Sequence, residues 1–231
     1  MGIFDRFKKK KAASSEGPLY VYTENEMAQF EAYIEDNFGK IENVLHEIVS
    51  PDIHCDILMV PPTEEAPYYK LFTMGMGAYE MNVPKELKQY ELERAEMVVF
   101  LPPDWDIRSG KEEDYWPIRQ LKVLARLPLQ CDTWLGFGHT VSTDEYNSPY
   151  ADNTKFCSIM LLYAINDHYE RLDNLRIKGK GKINFYQMLP LYQEELEYKQ
   201  NKDAETLLQL FDEEDILPVI NIKRKNYCNE G

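Results

Sequence analysis

A chain of 231 residues with 44% hydrophobic side chains is long enough for one large domain with a developed core. Its net charge of −14 is unevenly spread: residues 1–11 carry +4, from Arg6 and Lys8 to Lys11 against Asp5, and the remainder carries −18. So acidic a body excludes general affinity for nucleic acid, whose phosphates call for basic patches, and favours encounter with a cationic protein surface.

Residues 1–18 read as a basic tail and linker. The start MGIFDRFKKKK lacks the apolar h-region of a signal peptide. Ile3, Phe4 and Phe7 beside four lysines leave two readings open, a solvated tail or a weak peripheral membrane contact through residues 1–11. No window of about 18 apolar residues exists to span a bilayer. Cys55, Cys131, Cys157 and Cys228 are widely spaced, with no CxxC pair, which points to a reducing, cytoplasmic compartment.

One domain is expected over 19–231. Thr23 and Glu26 form a capping box, flanked by Tyr22 and Met27 as a hydrophobic staple. Met27, Phe30, Ile34 and Phe38 then recur at helical spacing up to Gly39, which predicts a helix over 24–38. The stretches 41–50 and 52–60, parted by Ser50, Pro51 and Asp52, predict two strands of a hairpin. Both faces of 53–60 are partly apolar, so that strand is expected to be covered on two sides. Further strands are expected near 68–73, 96–101, 156–165 and 183–189. Pro117 suits the first turn of a helix ending before Pro128, and LPLYQEELEYKQ and DAETLLQLFDE read as two more helices. The fold class is therefore α+β, a mixed, largely antiparallel β-sheet flanked by helices.

The chemistry-bearing residues form no complete constellation. His46, His54, His139 and His168 make no metal spacing, and neither a metal nor a cofactor is implied. His54 and Asp56 fall on one face of a strand, as a general base and its orienting carboxylate do, and a hydrolase or metal enzyme using His54, Asp56 and His139 is one alternative. A paired polar dyad at a sheet edge is the other. TMGMG at 73–77 lacks the lysine and spacing of a phosphate loop and reads as a tight turn with methionine packing. A set of aromatic and methionine side chains in expected loops, Tyr68, Tyr69, Met74, Met76, Tyr79, Trp105 and Trp116, is of the type enriched at protein interfaces. Trp105 and Trp116 flank the polar stretch DIRSGKEEDY, an expected partner-binding lip.

The run ILMVPPTEEAPYYKLFTMGMGAYEMNVP, followed in order by VVFLPPDW, YWPIRQLKVLARLP and GFGHTV, is similar to the suppressor of fused family over roughly residues 45–225. The resemblance implies the same α+β architecture, with Thr73, Met74, Gly75 and Met76 inside a family signature. It also implies a non-enzymatic protein-binding module, and for bacterial members an immunity protein that neutralises a toxin by occluding it. An adaptor for a cellular protein is the companion alternative. In the eukaryotic protein a second, C-terminal domain follows, so functions that need two lobes are not carried over.

Overall fold

The structure, a computed structural model, describes residues 19–168, 170–211 and 219–229. The basic segment 1–11 and the acidic run 212–215 lie outside the described residues. In chain order the elements are α1 (Glu24–Phe38), β1 (Asn43–Leu45), β2 (Asp56–Val60), β3 (Tyr69–Met74), β4 (Ala95–Leu101), α2 (Glu112–Cys131), β5 (Thr140–Ser142), β6 (Ser158–Tyr163), β7 (Leu175–Ile177), β8 (Gly181–Leu191), α3 (Gln193–Asn201) and α4 (Ala204–Leu208). Helix α1 starts at the expected box: the Glu26 amide donates to Thr23 Oγ1, and the Thr23 amide donates to the Glu26 carboxylate at 2.8 Å.

The strands form one mixed sheet in the order β1-β2-β3-β4-β8-β6-β5, with β7 paired to the start of β8. Only β4 and β8 run parallel among these pairs, which places the eleven-residue β8 beside β4 after the excursion through α2, β5, β6 and β7. Side chains alternate between faces along each strand, and both faces are covered. On one face Ile57, Leu71, Met97, Val99, Ile159 and Met188 pack under Trp116, Leu121, Leu124 and Ala125 of α2. On the other, Leu58, Phe72, Phe100 and Phe185 meet Phe30, Ile34 and Phe38 of α1, with Phe38 and Phe72 ring centroids 4.8 Å apart. Leu189 and Leu191, in phase with Phe185 along β8, extend that second face to Ala204 and Leu207 of α4.

Four boundaries differ from expectation. The hairpin turn is a ten-residue loop, 46–55, because the polar groups between His46 and Asp56 hydrogen-bond one another instead of continuing the ladder. Helix α2 begins at Glu112, so Pro117 lies inside it. A proline there removes the amide that would bond the carbonyl four residues back, and the Asn153 side chain donates to that Glu113 carbonyl instead, at 3.0 Å. The helix also passes Pro128 to reach Cys131, where Asp132 adopts a left-handed cap whose amide donates to the Pro128 carbonyl. LPL at 189–191 is the end of β8, not the start of a helix.

The last described segment is fastened to the sheet by a buried charge. Arg224 forms two 2.6 Å bonds to the Glu195 carboxylate, and its guanidinium lies 4.8 to 4.9 Å from the rings of Phe156, Tyr192 and Phe211. Such a pair is tolerated inside because every group is hydrogen-bonded and the cation faces aromatic quadrupoles.

Candidate partner-binding groove

Strand β1 is one edge of the sheet, and beside it the chain after β4 folds back as a lip over 105–110. The lip is shaped by its own turns: the Trp105 amide donates to the Pro102 carbonyl, the Ile107 amide to Trp105, and the Ser109 amide to Asp106. Trp105 is fixed by its indole N–H, which donates to the Asp114 carbonyl at 2.8 Å in the first turn of α2. Between β1, the lip and α2 lies an open groove of about 680 Å³. Met59, Tyr69, Trp105, Ile107, Tyr115 and Ile118 give it apolar and aromatic walls, and Glu42, Asp106, Arg108 and Lys122 contribute balanced charges. Among the described residues no further strand pairs with the outer side of β1, the usual condition of a sheet edge.

The structure brings two of the sequence-selected residues into this groove, Tyr69 and Trp105. The others stand elsewhere. Trp116 is fully buried, stacked on Tyr150 at 5.0 Å and edge-on to Trp105 at 6.4 Å, so it supports the lip from inside. Its indole nitrogen is the one buried side-chain N or O without a hydrogen-bond partner among the described residues. Tyr68 lies on the α1 face with its hydroxyl on Asp167, Met74 and Met76 are core, and half-buried Tyr79 packs edge-on against Tyr20 at 5.1 Å. Ile107 and Tyr115 lie in the expected lip DIRSGKEEDY, although the sequence did not single them out as wall residues. The signal for both was their place in the stretch between Trp105 and Trp116, Ile107 on the lip itself and Tyr115 in the first turns of α2.

The TMGMG segment proves to be a cradle for an internal carboxylate. Glu96, the second residue of the otherwise apolar strand AEMVVFL, is fully buried. It accepts from the Tyr22 hydroxyl at 2.9 Å, the Thr73 hydroxyl at 2.5 Å and the amides of Gly75 and Gly77 at 3.0 and 2.9 Å. Burial pushes its carboxyl up to about 7, against the pull of those four donors. Gly75 has φ +136°, and a Cβ there would lie 1.9 Å from the His54 carbonyl oxygen, so the turn requires glycine. The two glycine amides that resemble an anion loop are occupied by Glu96.

A second polar cluster sits in the 46–55 loop, close to the groove along α2. Asp56, almost fully buried, accepts from the Glu47 amide at 2.8 Å, His46 Nδ1 lies 2.9 Å from it, and His54 Nε2 lies at 3.3 Å. Arg126 of α2 reaches both oxygens of Glu47 at 2.5 and 2.6 Å and Asp52 at 3.1 Å, while Gln130 donates to Asp52 at 3.0 Å. His54 and Asp56 therefore meet as the sequence suggested. His139 does not join them: it precedes β5 at the far edge of the sheet, where its ring packs against Trp134 at 4.3 Å and burial lowers its pKa. No group of three or more His, Cys, Asp or Glu side chains is arranged to hold a metal ion among the described residues.

The sequence also matches the profile of the suppressor of fused protein over residues 51–225. The chain belongs to the suppressor of fused family. An uncharacterized protein of Ureaplasma parvum, UU111, is 25% identical over 211 residues, covering 90% of this chain and 98% of its own. Among solved structures, a suppressor of fused homologue from Neisseria gonorrhoeae superposes with a TM-score of 0.58 at 17% identity, over 91% of this chain and 98% of that one. The Sufu–Fu complex gives 0.59 at 12% identity, over 88% and 91%. Drosophila Suppressor of Fused gives 0.53 at 12%, with this chain spanning 50% of its length. These similarities confirm the suppressor of fused fold, a mixed and mostly antiparallel sheet with helices. No helix among the described residues is long and apolar enough to cross a membrane.

Proposed function

We propose that this chain is a non-enzymatic protein-binding module, and that it serves as an immunity protein which occludes a basic toxin with the face that holds the groove. The observation that carries the binding part is the groove itself, an aromatic-walled concavity whose lip is pinned to α2 by the Trp105 indole. A solved relative in complex with Fu supports protein recognition as the role of this fold. The acidic body supports a cationic partner, since opposite net charge speeds encounter. Placement of His54 and His139 at opposite sheet edges supports binding over catalysis.

The test is capture of the purified toxin-like product of an adjacent gene by the immobilised chain, with toxin activity measured at increasing excess of the chain. Trp105→Ala is expected to weaken capture by about tenfold or more, as loss of a buried aromatic anchor does. Arg108→Glu, on the exposed lip, is expected to leave folding unchanged and to alter the salt dependence of capture. Equal capture by all three proteins removes the groove from the interface. Full toxin activity at saturating excess removes the immunity role.

A further inference from the structure

The topology sorts the loops of this domain to two ends of the sheet. Strands β1 and β3 end where β2, β4 and β8 begin, because β2 runs against β1 and β3, β4 against β3, and β8 along β4. That end gathers the 46–55 loop, the 75–94 connection and the turn between β7 and β8. The segment 19–22 joins them: the His54 amide donates to the Tyr20 carbonyl at 2.9 Å, and the Tyr22 hydroxyl donates to Glu96 at 2.9 Å. The groove opens toward the other end, over the end of β2, the start of β3 and the lip that follows β4.

Two features coincide at the first end. Of the eight exposed large hydrophobic side chains among the described residues, five stand here: Leu19, Val21, Tyr90, and Ile48 and Val49 at 96% and 78% exposure. Positive charge is the second feature. Residues 171–182 carry Arg171, Arg176, Lys178, Lys180 and Lys182 against Asp173, a local +4 in a chain of −14. This stretch lies beside the point where the chain enters the domain, since Lys180 Nζ is 3.4 Å from Glu26 and 5.9 Å from the centre of the Tyr22 ring, and Lys182 donates to the Tyr90 carbonyl at 2.9 Å. The acids at this end are largely paired: Glu26 with Lys180, Glu80 with Arg94, Glu91 with Arg176, and Glu47 and Asp52 with Arg126. Lys178 stands exposed at the tip of the turn. Residues 1–18, outside the described residues, join here at Leu19, and 1–11 add a second +4 together with Ile3, Phe4 and Phe7.

We propose that this end of the sheet is a contact face for an anionic lipid surface, formed by residues 1–11, the Lys178 turn and the apolar tips at 19–21 and 48–49. The pairing of cations with protruding apolar side chains selects lipid over an acidic polypeptide. Headgroup phosphates take the cations while the apolar chains enter the acyl boundary, and a peripheral protein uses both at once. A short basic segment alone attracts weakly, and two such segments with apolar tips at one end of a rigid sheet add their contributions. The acidic remainder of the domain opposes this less than its total suggests, because charges more than about 8 Å from the surface are largely screened at physiological salt. With this end on a membrane, the groove opens away from it, so the face acts whether or not the groove binds a toxin.

The experiment is sedimentation of the full chain with vesicles of phosphatidylcholine alone and of phosphatidylcholine mixed with phosphatidylserine, at low and moderate salt. Binding is expected to the mixed vesicles only, and to weaken as salt is added. Deletion of residues 2–11 and Lys178→Glu are each expected to weaken it by about fivefold or more, the value of roughly one lysine near an anionic surface. Ile48→Ser combined with Val49→Ser is expected to cost a similar factor of about five, through lost apolar burial. Tyr146→Ser, equally exposed but beyond β5 at the far end of the sheet, is expected to leave binding unchanged. No binding, or equal binding to both kinds of vesicle, overturns the proposal. So does loss on deletion of 2–11 with the Lys178 and Ile48/Val49 variants unaffected, which would leave the folded face without a part. Stronger retention on immobilised polyglutamate than on mixed vesicles would assign the face to an acidic polypeptide and overturn it as well.

Discussion

Two carboxylate clusters stand back to back in this domain and solve the same problem differently. Glu96 is satisfied by four neutral donors in complete burial, and Asp56 and Glu47, at the sheet edge, by a cation, backbone amides and imidazoles. They are neighbours: Asp56 is the register partner of Met74, and the Gly75 turn that cradles Glu96 rests against the His54 carbonyl. Burial without a counter-charge leaves the interior site with a raised pKa and a rigid geometry. At the edge, a neighbouring helix supplies the cation, and the carboxylates are ion-paired. The difference shows how one polar inventory gives a cradle of neutral donors in one place and an ion-paired brace in the adjoining loop.

The largest expected break is at the shared turn. Gly75→Ala places a Cβ against the His54 carbonyl at a φ of +136°, so it should disturb both clusters at once and destabilise by more than about 4 kcal/mol, or prevent folding. Urea denaturation, or the soluble yield if the variant fails to fold, measures it. Little change in the denaturation midpoint would mean the turn can open away from His54.

Arg126→Ala should act on the edge cluster alone. It leaves Glu47 and Asp52 without their cation at a site about one-tenth exposed, with an expected loss of about 2 kcal/mol. The associated increase in exchange should be confined to 46–55. A loss spread over β3 and β4 would show that the two clusters are one unit.

The effect that separates them by pH comes from Glu96. Its folded pKa of about 7 lies above the ordinary carboxyl value of 4.5, so its contribution is fully present below about 4.5 and is lost as pH rises through 7. The thermal midpoint should therefore carry a component that declines between pH 5 and 8, and Glu96→Gln should remove that component. An unchanged slope in the variant would assign the decline to other groups.

Much of the frame was legible in the sequence because local rules decide it. Thr23 and Glu26 placed the start of α1, the alternating apolar residues of 53–60 gave a strand covered on both faces, and the ordered motifs indicated the family. Glu96 was overlooked as a partner for TMGMG because it lies about twenty residues beyond that segment and its remaining donor, Tyr22, lies 74 residues before it, which no local pattern relates. Pro117 was read as a helix start because the sequence does not reveal that Asn153, thirty-six positions on, supplies the missing bond to Glu113. The aromatic set was chosen by residue type alone, and type does not distinguish Trp105 on a groove wall from Trp116 in the core.

By itself, then, the sequence determined the acidic body, the helix caps, the strand faces and the family, all of which follow from charge, periodicity and short-range hydrogen bonding. Tertiary structure alone decided which carboxylates are buried, which aromatic rings share a groove, and that Ser50, His54 and Asp56 align with Glu47 and Arg126. Those outcomes depend on contacts between residues as far as 79 positions apart, made when strands pair and a helix crosses them, and pairing geometry is not encoded in any one stretch of chain.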